Sequence, residues 1–158
     1  METPTERLNR IRDDCRRMVT RRALMAAGAS VVPVPGADMV ADIGILTTLL
    51  PKISERFRLD HAHVAKLDPQ NAQKVLVFAS TLGNSVIGKT ISREIVVRLL
   101  KRFGIRLAAG SAAKYVPLLG SALAAGIGFG AMKLIGNRHI DDCYRTALAM
   151  AEQGKLEA

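Results

Sequence analysis

A thirteen-residue apolar segment occurs twice in this chain and constrains its fold more than any other feature. Residues 32–44 read VPVPGADMVADIG, and residues 116–128, 84 positions later, read VPLLGSALAAGIG. Each copy has an apolar run, a Pro-x-x-Gly break and then a run of small residues. Proline ends or kinks a helix, and small residues let helix backbones approach closely. The repeat therefore predicts two related helical hairpins, each broken by proline and glycine.

The hairpins contain the residues that we expect to govern helix packing or membrane contact. This hairpin motif comprises Pro33, Pro35, Gly36, Asp38, Asp42, Pro117, Gly120, Gly126 and Gly130. Asp38 and Asp42 lie one turn apart near a helix start, where the helix dipole favours negative charge. Their alternative role is to pair with basic residues of this or another chain.

The second hairpin lies in an uncharged stretch, residues 115–132, whose eighteen residues are at the lower limit for spanning a bilayer. In the first hairpin, Asp38 and Asp42 would be costly in hydrocarbon. A re-entrant or interfacial hairpin therefore suits both copies better than two full spans. Packing within a soluble helical bundle is the alternative.

Composition favours an all-α fold. Apolar residues make up 49% of the chain, yet it contains no Trp, four Phe and two Tyr, so this content is mainly aliphatic. Such a mixture suits packed helices better than a β-sandwich. We predict one domain, 1–158, of about six helices. Its segments are terminal helices over 4–22 and 137–153, repeat halves over about 23–57 and 107–136, and a joining basic amphipathic helix over 89–106.

Local signals give several helix starts. Thr3 and Glu6 have the spacing of a capping box, with Pro4 at the first helical position. Asp60 and Asp68 are candidate N-caps, and Pro69 follows Asp68 directly. We therefore expect a short helix through residue 66 and a longer one that ends near residue 82.

Positive charge is concentrated just before each hairpin. The net charge is +9, with +3 in residues 1–22 and +5 in residues 89–106. The predicted helix over 89–106 has an apolar stripe, and its basic residues are Lys89, Arg93, Arg98, Lys101 and Arg102. This face is either the solvated side of a bundle helix or a surface that lies on anionic lipid. The positive-inside rule places both hairpin entries on the cytoplasmic side of a membrane.

Residues 83–90, GNSVIGKT, match the phosphate-loop pattern at Gly83, Gly88, Lys89 and Thr90. Such a loop must follow a strand, and it needs a second strand with a metal-binding aspartate. No strand-like run precedes the downstream aspartates, and residues 75–81 are better interpreted as the end of a helix. Nucleotide binding is therefore the least favoured of three functional interpretations.

No cofactor, metal site or catalytic residue is predicted. His61 and His63 are two positions apart and cannot share a helix face, and we expect the three histidines at the surface. Asp141 and Asp142 are interpreted as helix-start carboxylates, and Cys143 lacks a convincing base. Cys15 and Cys143 are expected to be reduced thiols. The charged N-terminus lacks a signal-peptide core, so export is not expected.

The order of these motifs resembles a known bacterial family. The motifs are Pro33–Asp38, the central Gly/Lys helix, Val116–Gly120 and Gly136–Tyr144. Together they are similar to the YcjF-type domain of unknown function and to EcsC-like proteins over about residues 23–150. The resemblance implies a membrane-associated helical module, which also occurs fused after Era-like GTPase domains. It supplies no catalytic residue for this chain.

The resulting hypothesis is a non-enzymatic module at the cytoplasmic face of a bacterial inner membrane. Its partners would be anionic lipid, a membrane-bound protein such as a GTPase acting in trans, or a second copy of the chain. The alternative is a cytoplasmic scaffold that binds an acidic protein or nucleic acid. Nucleic acid is disfavoured because few aromatic residues are available to stack on bases.

Overall fold

A computed structural model describes residues 2–29, 37–84, 86–109 and 120–154, and these are helical with short connections. The helices are α1 (Pro4–Ala29), α2 (Ala37–Arg56), α3 (His61–Val64), α4 (Pro69–Thr81), α5 (Arg93–Ala109) and α6 (Gly120–Glu152). No strand occurs within the described residues. The prediction of an all-α fold is therefore confirmed.

The chain divides into two compact units, each assembled from separated segments. Unit 1 comprises Met1–Arg17, Leu50–Ile91 and Arg138–Ala158, and unit 2 comprises Met18–Leu49 and Ser92–Asn137. The described core side chains of unit 1 include Leu8, Cys15, Leu50, Ile53, Phe57, Leu59, Val75, Ile87, Ile140 and Cys143. Those of unit 2 include Val19, Ala23, Ile43, Leu46, Leu49, Val96, Met132 and Ile135. The single domain over 1–158 stays a prediction.

The predicted capping residues are confirmed at three helix starts. The Glu6 amide donates to Thr3 Oγ1 at 3.2 Å, and the Thr3 amide donates back to Glu6 Oε2 at 2.8 Å. These bonds to Thr3 lower the pKa of Glu6. Asp60 caps α3 by accepting from the Ala62 amide, and Asp68 caps α4 by accepting from the Asn71 amide. Each cap satisfies an amide that the first helical turn leaves without a partner.

Three predicted helix boundaries differ from the structure. The first helix, expected over 4–22, continues to Ala29. The basic helix begins at Arg93 rather than at residue 89, because Lys89 closes a turn with the carbonyl of Val86 and Ser92 supplies the N-cap. The helix expected to start at residue 137 is instead part of α6, which runs without interruption for 33 residues. Asp141 and Asp142 therefore lie deep inside a helix and not in its first turn.

The hairpin motif is only partly within the described residues. Pro33, Pro35, Gly36 and Pro117 lie outside them, whereas Asp38 and Asp42 lie on α2. Gly120 begins α6, which also contains Gly126 and Gly130. The surroundings of equivalent glycines differ between the two copies, so the structure does not show the internal repeat. A Cβ atom on Gly44 would meet nothing within 4 Å, whereas one on Gly128 would lie 3.3 Å from Asp42 Oδ2.

The closest helix contact measured at a glycine of α6 is at Gly136. A Cβ atom on Gly136 would lie 2.8 Å from both methyl carbons of Val19 on α1, whereas one on Gly130 would meet nothing within 4 Å. Glycine at residue 136 thus lets α1 and α6 approach within unit 2. Among the described residues, no helix has the length and hydropathy that crossing a bilayer requires.

Substitution of Gly136 should reveal this contact. We expect Gly136→Ala to lower the free energy of unfolding by about 1–3 kcal/mol, because overpacking forces Val19 to move. The control Gly130→Ala, on the same helix, should raise it by about 0.5–1 kcal/mol because alanine is the better helix former and meets no neighbour. Urea denaturation measures both. Equal changes in the two variants would contradict the assigned contact.

Candidate functional site

A group of buried polar side chains lies inside unit 1, and we call it the polar cluster. It consists of Ser54, Asn84, His139, Asp142 and Cys143. Ser54 lies on α2, Asn84 follows α4, and the other three lie on α6. Their i, i+3 and i+4 spacing from residue 139 puts these three on one face of α6. Buried polar groups need hydrogen-bond partners, so the cluster ties three parts of the chain together.

The amide group of Asn84 fixes the direction of the hydrogen bonds in the cluster. Its Oδ1 accepts from the backbone amide of Val86 at 3.0 Å. Its Nδ2 therefore faces inward, where it is 3.0 Å from His139 Nδ1 and 3.2 Å from Asp142 Oδ2. An NH₂ group has two protons to donate, so His139 Nδ1 must be the acceptor. The imidazole proton is then on Nε2.

The position of this proton determines whether His139 can act as a base toward Ser54. Ser54 Oγ lies 2.8 Å from His139 Nε2, a distance at which a base could activate a nucleophile. However, Nε2 already carries the proton, so it cannot remove a proton from the hydroxyl. Burial lowers the pKa of His139 to about 4, which keeps the ring neutral. The pair thus serves as a structural link between α2 and α6.

The two cysteines have the properties of inert core thiols. Burial raises the pKa of Cys15 to about 11 and that of Cys143 well above its usual range. Cys143 Sγ lies 3.7 Å from His139 Nε2, which is protonated and does not act as its base. Both thiols therefore remain protonated at neutral pH. Among the described residues, no three His, Cys, Asp or Glu side chains are grouped closely enough to hold a metal ion.

Arg138 balances the charge of Asp142 and connects α6 to the end of α4. Its Nε lies 3.3 Å from Asp142 Oδ2, and its Nη2 donates to the carbonyl of Leu82 at 3.0 Å. Burial raises the pKa of Asp142, although Arg138 and Asn84 act in the opposite direction. The neighbouring Asp141 instead pairs with Arg16 of α1 at 2.8 Å. Both aspartates therefore hold elements of unit 1 together.

The expectation that all three histidines lie at the surface is wrong for His139. The histidine is buried because it is one helical turn from Cys143, and both side chains face the core of unit 1. Cys143 and Ala147 follow His139 at intervals of four residues on the predicted inward face of the helix. This spacing could have predicted from the sequence that His139 is buried. No local pattern indicated Ser54 or Asn84 as its partners, since they are 85 and 55 residues away.

The described residues of segment 83–90 do not have the geometry of a phosphate loop. It follows helix α4 rather than a strand, which confirms the helical interpretation of residues 75–81. The Gly88 amide donates to the carbonyl of Leu59 at 2.8 Å, and the Lys89 amide donates to that of Val86. These amides are therefore not directed at a ligand. Gly88 has a φ of +74°, and a Cβ atom there would lie 2.8 Å from Leu76 Cδ2, so packing also requires glycine.

The basic face of α5 is the exposed charged surface on which the predicted function depends. Arg98, Lys101 and Arg102 are exposed, and their i, i+3 and i+4 spacing places them side by side. Arg93 is exposed at the start of the helix, and Val96 is buried on the other side. Within the described part of the chain, these four cations form no ion pair.

The nearest acid on this helix, Glu94, is already engaged. A hydrogen bond from Ser92 lowers the pKa of its carboxyl group, and the Arg93 charge contributes less. The predicted fifth cation, Lys89, is exposed but lies in the turn before the helix rather than on its face. The structure therefore brings together three of the five predicted basic residues as helix neighbours, with Arg93 nearby along the chain.

An open groove of about 500 Å³ lies beside α4 in unit 1. It is lined by Gln70, Gln73, Lys74, Val77, Phe78, Thr81, Met150 and Gln153. Among the described residues of this lining, Lys74 is the one that carries a charge.

No family model and no solved structure matches the chain. The chain is similar to two mammalian proteins named interferon-inducible GTPase 5. The protein of Rattus norvegicus is 27% identical over 158 residues, which cover 96% of this chain and 34% of that protein. The protein of Bos taurus is 29% identical over 127 residues, covering 79% and 27% respectively. The chain spans about a third of the length of these curated relatives. The YcjF-type and EcsC-like resemblance, with its bacterial source, stays a prediction.

The buried His139 should make stability depend on pH. Its pKa is about 4 in the folded chain and 6.5 as an ordinary histidine, so the unfolded chain binds a proton that the folded chain does not. Stability should therefore be complete above pH 6.5 and fall as the pH approaches 4, by about 3 kcal/mol over the whole window.

His139→Gln removes this titration. Urea denaturation at pH 7 and pH 4.5 should show the wild type losing about 2–3 kcal/mol more than the variant between the two conditions. Carboxylates that titrate in this range are present in both proteins and cancel in the comparison. An identical loss in both proteins would show that His139 is not buried as a neutral ring.

Proposed function

We propose that this chain is a non-enzymatic helical module that binds the anionic, cytoplasmic surface of a membrane, or a protein held there. The observation that supports it is the basic face of α5, where Arg98, Lys101 and Arg102 are exposed neighbours. Because no described acid pairs with them, their charge is available to an external anion. Ordinary solvated helix faces usually mix both signs of charge.

The distribution of charge between the units supports the same proposal. The segments of unit 2 contain nine Lys and Arg but three acids, Asp38, Asp42 and Glu94, so this unit accounts for +6 of the net charge of +9. Near an anionic bilayer each basic residue contributes about 1 kcal/mol of attraction, which salt weakens. Arg93, Arg98, Lys101 and Arg102 together would therefore give about 4 kcal/mol at low salt.

A GTPase acting in trans is the protein partner that we propose. The two relatives are named as GTPases, and this chain matches a segment equal to about a third of their length. The YcjF-type resemblance points the same way, because such modules occur fused to Era-like GTPase domains. The bacterial inner membrane is the location that this resemblance implies.

Charge removal on α5 tests the membrane proposal. The triple variant Arg98→Gln, Lys101→Gln, Arg102→Gln should bind vesicles of phosphatidylcholine and phosphatidylglycerol about a hundred-fold more weakly than the wild type at low salt, because three headgroup contacts are lost. Co-sedimentation measures the bound fraction. Vesicles of phosphatidylcholine alone should bind both proteins equally weakly, because they offer the cations no anionic headgroups.

A matched control distinguishes the effect of the α5 face on binding from the effect of the total net charge. Lys52, Lys66 and Lys74 are exposed in unit 1, and their triple replacement by Gln removes the same three charges. We expect this control to keep most of the binding. The proposal fails if both triple variants weaken binding equally, or if the wild type does not bind anionic vesicles at low salt.

A soluble scaffold for an acidic protein or nucleic acid would use the same cations. It differs from the membrane proposal in how the untagged protein fractionates from cells. A membrane-bound module should sediment with membranes, and high salt or carbonate should release the part that is held by ionic contacts alone. Recovery entirely in the soluble fraction at low salt would favour the scaffold.

Nucleotide binding at residues 83–90 has its own test. The backbone amides of Gly88 and Lys89 are occupied within the protein, so we expect neither ATP nor GTP to raise the melting temperature. Thermal unfolding with magnesium and each nucleotide measures this. A rise that Lys89→Ala abolishes would establish a phosphate site and contradict our interpretation of the segment.

A further inference from the structure

Two large apolar side chains are exposed on α1 in unit 2. Leu24 is 58% exposed and Met25 is 64% exposed, whereas Ala23 and Ala26 beside them are buried. The helix therefore packs one side against the protein and presents the two largest apolar side chains of this turn to solvent. Two adjacent exposed apolar side chains are a candidate contact with a partner or a membrane.

The surroundings of Leu24 and Met25 favour a particular partner. Arg21 lies three and four residues before them and is exposed on the same side of the helix. No ion pair of Arg21 occurs among the described residues. Gly28, one turn further on, is also exposed, and a Cβ atom there would meet nothing within 4 Å. Along this face of α1, an exposed arginine is followed by two exposed apolar side chains and then by an exposed glycine.

Such a face is complementary to the boundary between lipid headgroups and acyl chains. Anionic headgroups attract cations, while apolar side chains of an interfacial helix enter the acyl layer below. A second copy of this chain would instead bring together two units that each have an excess of six positive charges. Repulsion between these units disfavours self-association through this face.

We propose that Leu24 and Met25 insert into the acyl boundary of an anionic bilayer, with Arg21 at its headgroups. This inference rests on the proposed membrane function and adds an apolar contact to the ionic one on α5. The ionic contact weakens as salt rises, whereas the apolar contact does not. Binding should therefore have two separable parts.

Tryptophan fluorescence tests insertion directly, because the chain contains no tryptophan. Leu24→Trp and Met25→Trp each introduce a single reporter at an exposed position. On addition of phosphatidylcholine and phosphatidylglycerol vesicles, we expect their emission to shift to shorter wavelength and to be quenched by lipids with brominated acyl chains. The control Val77→Trp, at a 56% exposed apolar position in unit 1, should show neither change.

The double variant Leu24→Gln, Met25→Gln tests the energetic contribution. It should keep the low-salt, charge-dependent binding in reduced form but lose the salt-resistant fraction, with affinity at high salt lowered about ten-fold or more. Circular dichroism and urea denaturation should show an intact fold, because both positions are exposed.

Each failure has a distinct meaning. Vesicle binding that depends on α5, without a spectral change at residue 24 or 25, would overturn insertion and leave the proposed function intact. A spectral change without vesicles that grows with protein concentration would show that a second copy covers this face, and would also overturn it. Absence of any binding to anionic vesicles would reject the proposed function together with the inference.

Discussion

The amide of Asn84 is the interaction on which the organisation of unit 1 depends. One side chain caps the Val86 amide, sets the protonated nitrogen of His139 and meets the carboxylate of Asp142. All of these groups are buried, so any partner lost would leave an unsatisfied polar group in a medium where that is costly. Asn84 and Val86, which follow α4, are thereby tied to α6.

The same interaction explains why a group of residues with catalytic potential is structural. Serine, histidine and cysteine lie within reach of one another, and distance alone would favour a nucleophile and its base. The Asn84 NH₂ group occupies His139 Nδ1, so the proton on Nε2 points at Ser54. The direction of a hydrogen bond, and not its length, separates a structural link from a base.

The buried polar groups and the exposed cations lie in different parts of the chain. The polar cluster of unit 1 is buried and hydrogen-bonded, whereas Arg93, Arg98, Lys101 and Arg102 of α5 in unit 2 are exposed. The proposed contact through charge uses α5, whose apolar side is buried at Val96. Leu24 and Met25, also in unit 2, add exposed apolar area that a purely ionic surface would not have.

The sequence by itself determined the helical class, the caps and the α5 face, because each depends on residues within a turn or two of one another. Thr3, Asp60 and Asp68 cap helices through amides two or three positions away. The helical spacing of Arg98, Lys101 and Arg102 likewise predicted that these cations are neighbours on α5. Only tertiary structure decided the burial of His139, its bonds to Ser54 and Asn84, and the requirement for glycine at residue 136. Those contacts join residues far apart in the chain, and no local periodicity specifies which distant side chain will fill a given space.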